Sequence, residues 1–360
     1  MSESLNRAPA VGVRGNWSSP SERPVFPSAA FEGNAGGGFE PAACVLCGHD
    51  DADLVYEAPD RLHGSPGRFR LVRCRTCTLL YLNPRPTRAA IGAYYPADYE
   101  PHRRHPDEMP PKERLDWRFA IWKRATAVER YSRRGRLLDV GCGSGDFLYG
   151  MRRRGWRTVG VELSPSTAEY ARTRLALDVR TGELHEAKLR AASFDAVTLW
   201  DVIEHVHDPV GVLRQIRELL GPDGVLAMST PDTSSLDSAL LGRYWAGLDV
   251  PRHLYIFDRT TLATVLARAG LEPVGWRNFT GNYHTLRLSL GFVLDERVGS
   301  PGARRALRRL VGSPGARALC LPYSAVVNRL QRGPVVTVFA RVASTPGQAE
   351  SIAAGLGRRS

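Results

Sequence analysis

The chain reads as an α/β protein built on a parallel sheet with helices on both faces, preceded by a small cysteine-paired module. Three observations predict this. From Arg136 onward, short apolar runs alternate with helical stretches, the pattern that parallel strands and their crossovers produce. The first run, Leu137-Leu138-Asp139-Val140, turns through Gly141-Cys142-Gly143-Ser144-Gly145 into a helical stretch, as nucleoside-binding α/β folds do at their first turn. Upstream, two Cys-x-x-Cys pairs, Cys44/Cys47 and Cys74/Cys77, stand 26 residues apart.

Residues 1–40 are rich in Ser, Pro, Gly and Ala, end in a triple glycine, and read as a disordered tail. Residues 41–86 hold the cysteine module and 87–133 a linker with Tyr94, Tyr95 and Tyr99. That linker ends in a helix from Pro111 to Tyr131, which Trp117 and Trp122 are expected to pack against its neighbours. Strands are expected at 136–140, 157–162, 177–181, 194–200, 224–230, 271–279 and 334–342. The helices at 146–154, 165–175 and 208–220 take Ser164-Pro165 and Asp208-Pro209 as starts and Gly221-Pro222 as a stop. Residues 282–333 read as a helical insertion, with amphipathic arginine-rich stretches, in a main domain of 134–343. Residues 344–360 read as a second disordered tail.

The net charge is +12, and all but three of the 49 basic residues are arginine. The excess would suit an anionic partner, but the arginines are scattered, which argues against nucleic acid. No stretch approaches the roughly 20 apolar residues of a membrane span, and no basic-then-apolar leader opens the chain. A cytoplasmic protein is expected.

The glycine loop selects its ligand by charge. A dinucleotide fingerprint places glycine at its sixth position so that a pyrophosphate can rest on the helix N-terminus. Here that position is Asp146, whose carboxylate repels a pyrophosphate. Asp139, Gly141, Gly143 and Gly145 instead match, position by position, motif I of the class I S-adenosylmethionine-dependent methyltransferases, which this stretch resembles. The resemblance covers residues 134 to about 280 and implies a Rossmann-like seven-stranded sheet whose last strand runs antiparallel to the others. It also implies S-adenosyl-L-methionine as the cofactor.

Glu162 follows Asp139 by 23 residues and ends the second strand, where its two oxygens can share two ribose hydroxyls. By the resemblance, Glu183 accepts from the adenine amino group with Leu184 against the ring, an exposed loop acid being the other reading of Glu183. Asp139 orders the glycine loop or receives the methionyl ammonium. Phe147 and Leu163 line the apolar part of the site, and Cys142 and Trp200 complete the cofactor-binding set.

The fourth strand runs into Asp201-Val202-Ile203-Glu204-His205-Val206. That stretch lacks the signature of enzymes that methylate base nitrogens, and with Leu219 to Gly224 it resembles small-molecule methyltransferases, including the ubiquinone-biosynthesis O-methyltransferases. An oxygen acceptor calls for a general base, and histidine has a suitable pKa. His253 is the first candidate and His205 the second, with Arg252 beside His253 facing the acceptor. In related enzymes an acid, a Glu and a His in this stretch can hold magnesium. Asp201, Glu204 and His205 match that trio, with a capping or packing role as the competing reading.

Four thiolates spaced as Cys44, Cys47, Cys74 and Cys77 can close a tetrahedral shell around structural zinc. With the following Leu79-Leu80-Tyr81-Leu82-Asn83-Pro84-Arg85-Pro86, the module resembles the N-terminal zinc ribbon of bacterial methyltransferases linked to polysaccharide or secondary-metabolite pathways. That makes it a substrate-side or homodimer element. The expected activity is methyl transfer to oxygen or carbon of a small molecule or saccharide. An RNA methyltransferase gripping nucleic acid through the ribbon, and a non-catalytic zinc-dependent interaction protein, are the alternatives.

Overall fold

A computed structural model of the chain describes residues 38–95 and 105–344. Apart from residues 38–40 and 344, the two expected tails lie outside the described residues, as does Tyr99. The chain begins with β1 (Phe39–Glu40), β2 (Ala52–Ala58), β3 (Phe69–Cys74), β4 (Leu80–Leu82) and β5 (Arg85–Pro86). Phe39 and Glu40 are therefore not tail: β1 pairs antiparallel with β5. The reason is aromatic, since Phe39 stacks on Phe69 at 6.2 Å and meets the edge of Tyr94 at 6.1 Å.

Helix α1 (Pro111–Glu129) leads into β6 (Arg136–Val140), α2 (Asp146–Arg153), β7 (Arg157–Glu162), α3 (Pro165–Leu175), β8 (Asp178–Thr181) and β9 (Phe194–Trp200). Then come α4 (Pro209–Leu219), β10 (Leu220–Pro231), α5 (Leu236–Leu241), β11 (Tyr255–Ile256), α6 (Arg259–Arg268) and β12 (Leu271–Arg277). Helices α7 (Asn282–Arg297), α8 (Pro301–Val311) and α9 (Pro314–Arg329) form the expected insertion before β13 (Val335–Val342). The expected start signals act as caps: Ser164 Oγ accepts from the Thr167 amide and Asp208 Oδ1 from the Gly211 amide.

All seven expected strands join one sheet in the order β12-β13-β10-β9-β6-β7-β8. β13 alone runs against its neighbours, antiparallel to both β10 and β12. β10 starts earlier than expected because Leu220 pairs once with Phe194 before a bulge, and continuous register resumes at Val225. Side chains alternate between two buried faces. Leu137, Ala196, Val225, Ala227 and Phe339 meet α1, α2 and α3, whereas Leu138, Val197, Leu199, Leu226 and Met228 meet α4, α6 and the cysteine module.

One expectation needs correction. Trp122 does not pack α1 onto the domain: it is 53% exposed and stacks on Phe119, while Ile121, Ala125 and Val128 make the buried stripe. Phe119 and Trp122 fall off that stripe, whereas Trp117, one turn before Ile121, packs against the core and meets Tyr149. The cysteine module does not close its sheet by itself. β2, β3 and β4 form a meander whose edge is completed by β11, pairing Tyr255 with Tyr81 and Ile256 with Leu80. No helix among the described residues is long and apolar enough to cross a membrane.

One apolar cluster runs from Leu71, Leu80 and Leu82 of the module through Leu254 and Phe257 to the sheet. The two parts should unfold together. Leu71→Ala, at a fully buried site, is expected to lower the midpoint of one common denaturation transition at a cost of about 2–5 kcal/mol. Fluorescence and circular dichroism should report the same curve, and two separated transitions would show independent modules.

Candidate functional site

The candidate site is built at the carboxyl ends of β6, β7, β9 and β10, where the strand order reverses. The loop after β6 needs glycine for two separate reasons. Gly141, Gly143 and Gly145 all have positive φ, at 70°, 54° and 83°, a region costly for other residues. Beyond that, a Cβ on Gly141 would meet Val202 at 2.7 Å and one on Gly145 would meet Leu177 at 2.6 Å, whereas Gly143 faces open space. The outer two glycines pack the turn, and the central one leaves room for a ligand.

Glu162, at the end of β7, anchors that loop. Its Oε2 accepts from the Gly143 amide at 2.8 Å and its Oε1 from the Ser164 amide at 2.9 Å. Each oxygen keeps a second lone pair, so the carboxylate can still accept from two hydroxyls. Asp139 does not order the glycine loop as one reading expected. It is buried and accepts from Thr198 Oγ1 at 2.5 Å, on the face covered by α1. Burial pushes its carboxyl up to about 7 against the Thr198 hydrogen bond and the field of Arg124. A cation arriving beside it, such as an ammonium, would hold it ionised.

The other expected contacts divide. Phe147 and Trp200 meet edge to face at 5.2 Å, with the Arg124 guanidinium over the indole ring at 5.3 Å. Leu184 is buried, while Leu163 stands 69% exposed beside Glu162. Cys142 contributes backbone only, because its thiol lies under the sheet where a Cβ on Gly160 would stand. Burial raises that thiol strongly, with Asp139 and Glu162 adding to it. Glu183 caps the short turn Leu184–Ala187 in a box with Glu186 and meets Arg88 at 3.1 Å. Glu183 thus keeps local partners of the kind an exposed loop acid makes.

Beyond β9 the structure brings His205 and His253 together, ring centroids 4.6 Å apart. His253 Nδ1 lies 2.9 Å from the Gly247 carbonyl. A carbonyl can only accept, so Nδ1 carries the proton and Nε2 of the neutral ring is the basic nitrogen. Nε2 stands 3.8 Å from Asp249 and 4.0 Å from Glu204. Burial alone would raise Asp249, but the charge that His253 carries when protonated, together with the Arg252 guanidinium, holds it below its usual value. His205 Nδ1 lies between the Tyr95 hydroxyl at 3.0 Å and the Arg252 carbonyl at 3.1 Å. Burial, with His253 next to it, lowers His205 to about 3, so it stays neutral.

Asp201 does not join Glu204 and His205 as a trio. Its backbone turns left-handed at φ 58°, and its carboxylate accepts from Ser229 Oγ at 2.9 Å. The group that does form is Glu204, His205 and His253, with ligand atoms within 4.8 Å of one another. Glu204 is 1% exposed with no hydrogen-bond partner on either oxygen. Burial, with Asp201 adding to it, pushes its carboxyl well above the usual range.

Arg252 does not face an acceptor. Its side chain is wholly buried between Asp60 and Asp249. Asp60, Asp249, Thr198 and Tyr95 contact the sequence candidates and were not among them. Only Asp249 left a sequence signal, three and four residues before Arg252 and His253.

The four module cysteines converge, with Cys44 and Cys77 Sγ atoms 3.3 Å apart, Cys47 and Cys74 3.4 Å apart, and all four within 4.8 Å. A disulfide would need about 2.05 Å, whereas a zinc tetrahedron with ~2.3 Å bonds has edges of about 3.8 Å. Each knuckle closes alike: the amides of Gly48 and Thr78, both left-handed, return to the carbonyls of Cys44 and Cys74. The residues fit a zinc ion.

A family model described as "Methyltransferase domain" matches residues 115–275. The chain is 31% identical over 158 residues to a ubiquinone biosynthesis O-methyltransferase of Cereibacter sphaeroides, covering 41% of this chain and 64% of that protein. It is 33% identical over 168 residues to that of Neisseria meningitidis serogroup A, covering 42% and 68%. The chain thus spans just under two thirds of the first relative. A solved S-adenosylmethionine-dependent methyltransferase from Mesorhizobium loti shares 18% identity, covering 62% of this chain and 97% of that one at a TM-score of 0.42, too distant to bear on function.

The raised Asp139 makes a measurable difference. An unfolded aspartate titrates near 3.9, so between about pH 4 and 7 the unfolded chain releases this proton while the folded chain keeps it. Its contribution to stability is therefore lost as pH rises through that window. Urea unfolding without added ligand should show wild type losing stability relative to Asp139→Asn between about pH 5 and pH 7. A constant difference between the two proteins would contradict the assignment.

Proposed function

The chain belongs to the class I S-adenosylmethionine-dependent methyltransferase family, and from that premise we propose that it methylates a hydroxyl oxygen of a small molecule, with His253 as general base. The observation that carries this reading is the fixed tautomer of His253, whose Nδ1 proton points at Gly247 O and leaves Nε2 ready to accept. The relatives' names, which specify O-methylation in quinone biosynthesis, support it over the RNA alternative. A saccharide hydroxyl or a carbon acceptor would call on the same proton removal.

S-adenosylmethionine, when bound, supplies a methyl group on a sulfonium leaving group. The chain's residues do the rest. Glu162 offers its remaining lone pairs to ribose hydroxyls, and Gly143 leaves the loop open beside them. Asp139 ionises against the methionyl ammonium, and the Phe147–Trp200 pair excludes water. His253 takes the acceptor proton at Nε2, and the resulting imidazolium is steadied by Asp249 at 3.8 Å. His205, held neutral, leaves the base role to its neighbour.

Transfer of labelled methyl groups to a panel of phenols, catechols and sugars tests the activity. His253→Ala is expected to lower turnover by about 10²–10⁴-fold on the true acceptor while S-adenosylmethionine affinity by calorimetry changes little. Near wild-type turnover would remove His253 as the base.

The convergence of the four cysteines supports structural zinc at Cys44, Cys47, Cys74 and Cys77, where four thiolates would leave no open position for a catalytic water. Elemental analysis should find one zinc per chain, and Cys47→Ser together with Cys74→Ser should abolish it and lower the melting temperature. Full stability without metal would defeat the assignment.

A further inference from the structure

The loop that carries His253 is held from the cysteine module, 192 residues earlier in the chain. Asp60 follows β2 and is buried. Its carboxylate accepts from Arg252 Nη2 at 2.7 Å and Nη1 at 2.9 Å, and from the amides of Leu62, His63 and Ser65 at 3.0–3.2 Å. Arg252 uses its remaining donors on Asp249, at 2.6 Å from Nη2 and 3.2 Å from Nε, and on the Tyr94 carbonyl at 3.1 Å. All five N–H groups of a fully buried guanidinium are thereby satisfied.

Both histidines hang from this clamp. The Asp249 carbonyl accepts from the amides of Arg252 and His253 at 3.0 Å. The Asp249 carboxylate faces His253 Nε2, and the Arg252 carbonyl faces His205 Nδ1. Asp249 also sits at φ 28°, in the left-handed region a non-glycine residue occupies only when its surroundings enforce it. Without Asp60, Arg252 would be left with a single carboxylate, and the module would hold the chain only beyond His253, through the Leu82 amide on the Leu254 carbonyl and the pairing of β4 with β11.

We propose that Asp60 is a positioning residue for methyl transfer: acting through Arg252, it fixes Asp249 and the loop so that His253 presents Nε2 to the acceptor. This rests on the base role given to His253. It makes the cysteine module a part of the catalytic apparatus, since the module's own turn supplies the anchoring carboxylate.

Asp60→Asn keeps the side chain's size and removes its charge. It is expected to lower kcat at least tenfold while zinc content stays the same and S-adenosylmethionine affinity stays within twofold. Long-range proton–nitrogen NMR of the histidine rings gives a readout that needs no substrate. Wild type should show His253 as the Nδ1–H tautomer, and Asp60→Asn should show a mixture. Unchanged turnover and tautomer would overturn the proposal, as would a loss of S-adenosylmethionine affinity in step with turnover, which would mark general unfolding. If Asp60→Asn does not fold, Arg252→Lys, which keeps the charge and loses the fork, is read the same way: lost turnover at intact cofactor affinity supports the proposal, and wild-type turnover defeats it. A wild-type chain that methylates no acceptor would defeat the base role instead, leaving the NMR to decide whether Asp60 holds the loop.

Discussion

A guanidinium can be buried only where each of its N–H groups meets an acceptor, because the cost of an unmatched buried charge exceeds what packing returns. Arg252 meets that condition by drawing in two carboxylates and a backbone carbonyl from three separate stretches of chain: Asp60 after β2, Tyr94 in the linker, and Asp249 in its own loop. Burial and the Arg252 hydrogen bonds act oppositely on Asp60, and the hydrogen bonds win, holding the carboxyl well below its usual range. The shape of the loop that carries His253 follows from this clamp.

The cofactor side obeys a different constraint. A strand must become a helix within five residues while leaving one face of the turn bare, and only glycine at three left-handed positions permits this. Glu162 then supplies what the turn lacks, an acceptor for the Gly143 amide. On one side the protein spends backbone freedom to make an opening, and on the other it spends buried charge to make a fixed loop. The sheet joins them, because both sit at the carboxyl ends of its strands.

Much of this was legible in the sequence for local reasons. The seven strands announced themselves through apolar runs between cap signals, the glycine loop through its spacing, and the knuckles through paired cysteines. Glu162 was found because its position at a strand end depends on chain order alone. What stayed hidden was set by contacts between distant segments. Arg252 beside His253 looks like a substrate residue until Asp60 is known to stand against it. Trp122 looks like core, yet the buried stripe of α1 is made by Ile121, Ala125 and Val128. Asp139 looked like a loop anchor, and only the register of β6 against β9 shows that Thr198 claims it.

The pairing of β4 with β11 has a consequence in time. A ribosome delivers residue 82 long before residue 256, so the newly made module stands with one strand edge unsatisfied while some 170 residues are still to come. Its cysteine knuckles can close at once, since each is local, but its sheet cannot. The young chain therefore carries an open, apolar edge through most of its synthesis, and the strand that finally covers it arrives on the same loop that brings the histidines into place.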